Sequence, residues 1–165
     1  MEIDLSSIII GIIALAFFFV PIIYFEYYKK RATKKFAAYF NEVANNNSLD
    51  LTQYDVWRDQ YGIGIDTGAK TILYHKQKNG QENTVLLELS ELKRCRISKE
   101  DDRIKTPDGD RRITTRVDLQ IEFISPEKAD VSVEFYKEEN GDSVRDEVIL
   151  AEKWSKMINS RLTIK

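Results

Sequence analysis

From Leu5 to Phe25 the chain runs twenty-one residues without a charge, LSSIIIGIIALAFFFVPIIYF. At about 1.5 Å rise per residue a helix of that length reaches roughly 30 Å, the thickness of a bilayer's hydrocarbon core. The run therefore predicts a membrane anchor. A cleaved signal peptide would open on a basic region and close on small residues, whereas Glu2 and Asp4 precede this run and Tyr27 and Tyr28 follow it. Retention of the segment is the expectation. Lys29, Lys30, Arg31, Lys34 and Lys35 follow the run and no cation precedes it, so the positive-inside rule predicts a single-pass cell-membrane protein with its N-terminus outside and the rest of the chain cytoplasmic. The opposite topology, with an envelope-facing domain, is the alternative. Tyr24, Tyr27 and Tyr28 are expected at the headgroup level, each with its ring in lipid and its hydroxyl in water.

The 165 residues leave about 140 beyond the run, a length suited to one core. Taking the five cations of the basic cluster, and Glu2, Asp4 and Glu26, from totals of 25 and 27 leaves 20 Lys and Arg against 24 Asp and Glu. That acidic balance argues against nucleic acid, which demands a dense cationic footprint. One cysteine, Cys95, excludes an intrachain disulfide and fits a reducing compartment.

Ala32, Phe36, Tyr39, Phe40 and Val43 fall on one helical face just after the run. The other face is basic, so Lys29, Lys30, Arg31, Lys34 and Lys35 are the candidate membrane-surface residues, either setting topology alone or touching an anionic leaflet. Near Tyr61 the period changes from 3.6 to 2. Tyr61, Ile63 and Ile65 alternate with Gly62 and Gly64, and Thr71 to His75 completes a hairpin. Asn79-Gly80 is a turn leading to a strand over Thr84 to Leu89, with Val85, Leu87 and Leu89 inward; Leu92 to Ser98 follows with Cys95 and Ile97 inward. The plainest alternation is Val117, Leu119, Ile121 and Phe123 against Arg116, Asp118, Gln120 and Glu122; a sixth strand turns Val131, Val133 and Phe135 inward. A closing helix is expected from Ser143, with Ser143 and Asp146 close to a capping box and Val144, Val148, Ala151, Trp154 and Ile158 as its apolar stripe.

The segments YGIGIDTGAKTILYH, TVLLELSELKRCRIS, RVDLQIEF, VSVEFYK and AEKWSKMI, within about Tyr54 to Leu162, give a succession that resembles the pleckstrin-homology-like fold, in particular small bacterial domains of that kind. The resemblance implies seven strands against the six read above, so either Leu49 to Val56 contributes the seventh or the resemblance is architectural only, and it implies a binding module in place of an enzyme. The expected fold class is thus an N-terminal transmembrane helix plus an α+β domain, an antiparallel curved sheet or partly open barrel capped by a C-terminal amphipathic helix. Its divisions are an anchor over 1–28, a basic juxtamembrane helix and linker over 29–48, and the β-rich domain over 49–165. Phosphoinositide-binding members of that family concentrate cations near the first hairpin; here Lys70, followed by Lys76 and Lys78, is all that the first two strands offer.

No catalytic constellation is legible. His75 and Cys95 lie in different strands, His75 reading as a strand-end surface residue and Cys95 as core. Two such residues are too few for structural zinc. Glu100, Asp101, Asp102, Asp108 and Asp110 lack the spacing of a calcium loop and are interleaved with cations, so a charged, solvated hairpin loop is expected there. Gly62, Gly64 and Gly68 sit in a hairpin and not between a strand and a helix, as a phosphate loop requires. The sequence therefore predicts no catalytic residue, metal or cofactor. It predicts a scaffold or binding module at the membrane surface whose partners are the lipid bilayer and a protein or peptide, with anionic-lipid contact as the alternative. It does not fix the oligomeric state.

Overall fold

The computed structural model describes residues 5–106, 109–139 and 141–162, with backbone alone at 5–14, 16, 22, 23, 25, 26, 29, 104 and 106. One helix, α1 (Leu5–Asn46), carries both the uncharged run and the basic segment and passes through Pro21 without a break. It ends where Ser48 takes a φ of 58° and the Leu49 N–H reaches back to the Ala44 carbonyl at 3.0 Å, closing the last turn. Four strands follow, β1 (Gln53–Trp57), β2 (Tyr61–Asp66), β3 (Thr71–Lys78) and β4 (Gln81–Glu88), paired in that order into one antiparallel sheet. A 3₁₀ turn at Leu89–Glu91 leads to a second sheet of β5 (Leu92–Thr106), β6 (Gly109–Phe123) and β7 (Val131–Lys137). A short helix, α2 (Glu147–Arg161), closes the chain.

The two sheets and α2 enclose the core. Ile63, Ile65, Ile72, Tyr74 and Leu87 from the first sheet meet Cys95, Val117, Leu119, Ile121, Val133 and Phe135 from the second, and Ala151, Trp154 and Ile158 of α2 fill the space between. Burying a large apolar side chain contributes roughly 1.5 to 3 kcal/mol, so the fully enclosed Trp154 and Ile158 fasten α2. A smaller cluster lies on the opposite, outer face of the first sheet, where Phe40, Ala44 and Leu49 pack on Leu73. The glycines of β2 make that packing possible. A Cβ on Gly62 would stand 2.4 Å from the Phe40 ring, and one on Gly64 would stand 2.7 Å from Leu51. So β2 presents isoleucines to one core and bare backbone to α1.

This architecture corrects several expectations. In place of a single curved sheet or partly open barrel behind a transmembrane helix, the chain forms two antiparallel sheets, of four and three strands, with a short C-terminal helix. Among the described residues no helix is long and apolar enough to cross a membrane, which overturns the transmembrane, single-pass cell-membrane placement. The second half of α1 is a docked amphipathic helix instead. Of the uncharged run, Leu15, Phe17, Phe18, Phe19, Val20 and Tyr24 have described side chains, all exposed, while most of the remaining side chains of the run lie outside the described residues.

The seventh strand is β1, which overlaps the expected Leu49 to Val56 and runs one residue past it. The expected charged loop after Ser98 is strand instead. β5 and β6 pair from Leu92↔Phe123 to Thr106↔Gly109, while β7 covers β6 only from Arg116 to Ile121, so a two-stranded ribbon extends beyond the sheet. Helix α2 starts at Glu147 and not Ser143, because the Ser143 carbonyl is held by the Arg58 guanidinium at 2.8 Å in a non-helical segment.

Candidate interaction site at the sheet edges

Two sheets that do not close into a barrel leave four edge strands, each with a row of backbone groups needing partners. Side chains bond backbone groups on two of them, and the third, β1, is held only through its own side chains. On β7 the carbonyls of Phe135 and Glu134 accept hydrogen bonds from Trp57 Nε1 at 2.8 Å and the Tyr74 hydroxyl at 2.7 Å. On β5 the Asn159 amide serves as a substitute strand residue, accepting from the Cys95 N–H at 3.0 Å and donating to the Cys95 carbonyl at 2.7 Å, with Ser155 Oγ adding a bond at 3.1 Å. Strand β1, five residues long, lies between the helices: Asn41 of α1 donates to the Tyr54 hydroxyl, and Lys153 and Trp154 of α2 donate to the Asp55 carboxylate.

The fourth edge, β4, is different. The Asn79-Gly80 turn, with φ of 51° and 75°, is the two-residue type that opposes Lys78 to Gln81. Hydrogen-bonded and non-bonded pairs alternate from there. Two bonds fix the phase, since the Gln77 N–H turns away from β4 to the Gln60 carbonyl at 2.8 Å, and the Leu89 N–H meets the Lys70 carbonyl at 2.9 Å. The N–H and C=O groups of Glu82, Thr84, Leu86 and Glu88 therefore point away from β3. Among the described residues no other strand, helix or side chain caps them. Between Glu82 and Glu88 the strand reads Asn83, Thr84, Val85, Leu86, Leu87, five residues without a charge, and Leu86 is 48% exposed.

The outer face of β4 adjoins α1 through His75. His75 lies beneath Phe36 and Tyr39, ring centroids 6.5 and 5.5 Å away, and is fully buried, a correction of the expected surface position. Its Nδ1 meets Thr84 Oγ1 of β4 at 2.9 Å, and its Nε2 has no partner among the described residues. Burial lowers the imidazole pKa, with Glu82 opposing the shift. Tyr39 is pushed up to about 12 by burial first and then by its hydrogen bond to Glu82. The sequence carried one signal of this arrangement. A strand whose one face is glycine at Gly62 and Gly64 must receive something at close range.

The other candidate residues scatter. Lys30, Arg31, Lys34 and Lys35 are exposed on α1, and the Lys29 side chain is outside the described residues. Tyr24, Tyr27 and Tyr28 are exposed, with the Tyr24 and Tyr28 rings 4.8 Å apart. Lys76 binds Glu134 at 2.7 Å, Lys78 pairs with Glu139, and Lys70 is exposed at the far end of the sheet. Glu100, Asp101, Asp102 and Asp110 spread along the ribbon, with Asp108 outside the described residues, and no cluster fit for a metal ion occurs among the described residues.

Sequence reasoning missed Arg58 altogether. It opens the three-residue turn Arg58, Asp59 and Gln60, with φ of 51° and 52° at the first two, and its guanidinium binds Glu147 and Asp142 while lying 4.8 Å above the Tyr136 ring. Cys95 is buried as expected, its thiol raised to about 11 by burial against a weak opposing bond from Ser155. Burial, reinforced by Glu134, also drives the Tyr61 and Tyr74 phenols upward.

No family model, curated protein or solved structure matches the chain.

Proposed function

We propose that this protein is a non-catalytic binding module that accepts an extended segment of a partner protein by strand addition to β4. One observation carries the reading: β4 leaves an uncharged, partly apolar edge uncapped, while side chains cap backbone groups of β7 and of β5 at Cys95, and the five-residue β1 lies between the two helices, bonded to both through Tyr54 and Asp55. Natural proteins blunt such edges with charge, bulges or cover, because an open edge is a template for another chain. Retaining one is what strand addition requires, since main-chain hydrogen bonds supply the affinity and alternate side chains supply the selectivity. The distal edge of β5 is also open, but Arg96, Lys99, Glu100, Asp101, Asp102, Arg103 and Lys105 blunt it. A nucleophile or base active near neutrality would need the opposite shifts from those of Cys95, Tyr61 and Tyr74. The resemblance to pleckstrin-homology-like domains belongs to this proposal too, with four strands, then three, then a helix in keeping with a binding role.

The test is to select binders of the full chain from a random decapeptide library and follow amide exchange. Bound peptides should protect the Thr84 and Leu86 amides, and Leu86→Pro, which removes an outward N–H that β3 does not use, should abolish binding with the fold intact. Binders that leave both amides unprotected would refute the reading.

A further inference from the structure

We infer that the segment received by β4 is heterologous and basic at both ends, with the pattern basic-x-apolar-x-apolar-x-basic; this rests on the strand-addition reading. Glu82, Thr84, Leu86 and Glu88 share the outer face and carry the outward backbone groups, so an antiparallel strand places four side chains directly opposite them. Both glutamates are exposed and neither has a cation partner among the described residues. The neighbouring lysines are already committed, Lys76 to Glu134 and Lys78 to Glu139. Glu82 has only neutral donors, Gln77 Nε2 at 3.0 Å and the Tyr39 hydroxyl. Six residues at about 3.4 Å each separate the two acids by roughly 20 Å. Two cations at that spacing on the partner would each meet one.

The same register rules against a second copy. A two-fold axis at Val85 aligns β4 with its copy over its full edge, and it sets Glu82 opposite Glu88 at both ends and Thr84 opposite Leu86. Like charges placed directly opposite disfavour that pairing. The edge thus repels its own kind and selects a cationic strand.

The probe is a synthetic nonapeptide with lysine at positions two and eight, valine at four and six, and threonine elsewhere, compared with the version carrying glutamate at two and eight. Titrated calorimetrically into the full chain, the lysine peptide should bind about tenfold more tightly, less so at high salt. The preference should reverse in a Glu82→Lys, Glu88→Lys double variant. Equal binding of both peptides, abolished by Leu86→Pro, would overturn the charge inference and leave the edge reading standing. Binding of neither peptide would overturn both. A self-associating chain with the Thr84 and Leu86 amides protected would overturn heterologous pairing.

Discussion

Replacing Gly62 by alanine should destabilise the protein, and the sign of that effect tests how α1 is docked. The backbone at Gly62 does not have a positive φ, so alanine is conformationally acceptable there. On chain entropy alone the change would stabilise by about 0.4 to 1 kcal/mol. Sterically it cannot, because the new methyl would stand 2.4, 2.7 and 2.8 Å from three atoms of the Phe40 ring. That ring is fully buried against Ala44, Leu49 and Leu73 and has nowhere to swing. Overpacking of this kind costs about 1 to 3 kcal/mol, enough to outweigh the entropic gain. Phe40→Ala alone should cost about 3 to 5 kcal/mol by leaving a hole. The double variant, in which the methyl enters the hole, should be at least about 1 kcal/mol more stable than the two single effects summed. Urea unfolding of the four proteins completes the cycle. Additivity within about 0.5 kcal/mol, or a stabilised Gly62→Ala protein, would refute the argument that the glycine is there for the helix.

Protonation of His75 is disfavoured in the folded state, so the unfolded chain binds the extra proton first. The resulting stability is complete above the ordinary imidazole range and is lost as pH falls through it. Urea midpoints measured from about pH 8 to about pH 5 should fall more steeply for the native protein than for His75→Gln. Arg58→Ala should cost about 2 to 4 kcal/mol, because Glu147 is left as a buried carboxylate without its cation. Arg58→Lys should recover less than half, since one ammonium cannot meet Glu147, Asp142 and the Ser143 carbonyl together; thermal melts read both. Asn159→Leu should cost about 1 to 3 kcal/mol by orphaning the Cys95 N–H, the carbonyl keeping Ser155 Oγ, and the Cys95 amide should exchange faster in that variant.

The parts legible in the sequence are those with one dry face and one wet face. Val117, Leu119 and Ile121 on β6 are all buried as the alternation implied, and the stripe Ala151, Trp154 and Ile158 placed α2 correctly even though its start was misjudged. Asn79-Gly80 identified its turn because few other pairs hold two positive φ angles. β1 was harder to see because nearly every residue in QYDVW is half-buried, so no alternation survives. The ribbon was illegible for the opposite reason. With its described side chains largely in solvent, nothing selects apolar residues at every second position, and chiefly backbone pairing holds residues 100–106 and 109–113 in strand form. His75 misled because a strand's outer face is normally wet, and only α1 makes it dry. Of the β4 edge, its own residues show the uncharged run, while its openness follows from which other edges found caps.

Those caps have a consequence for how this fold can change over generations. Trp57, Tyr74 and Asn159 each silence a length of strand edge with a single side chain, so one substitution at any of them both weakens the fold and exposes a new adhesive border. A lineage with stability to spare would thus acquire additional docking surfaces by losing residues and not by building them. In a lineage without that reserve the same losses would lead to strand-directed aggregation, the earliest contacts forming at the edge whose cap had gone.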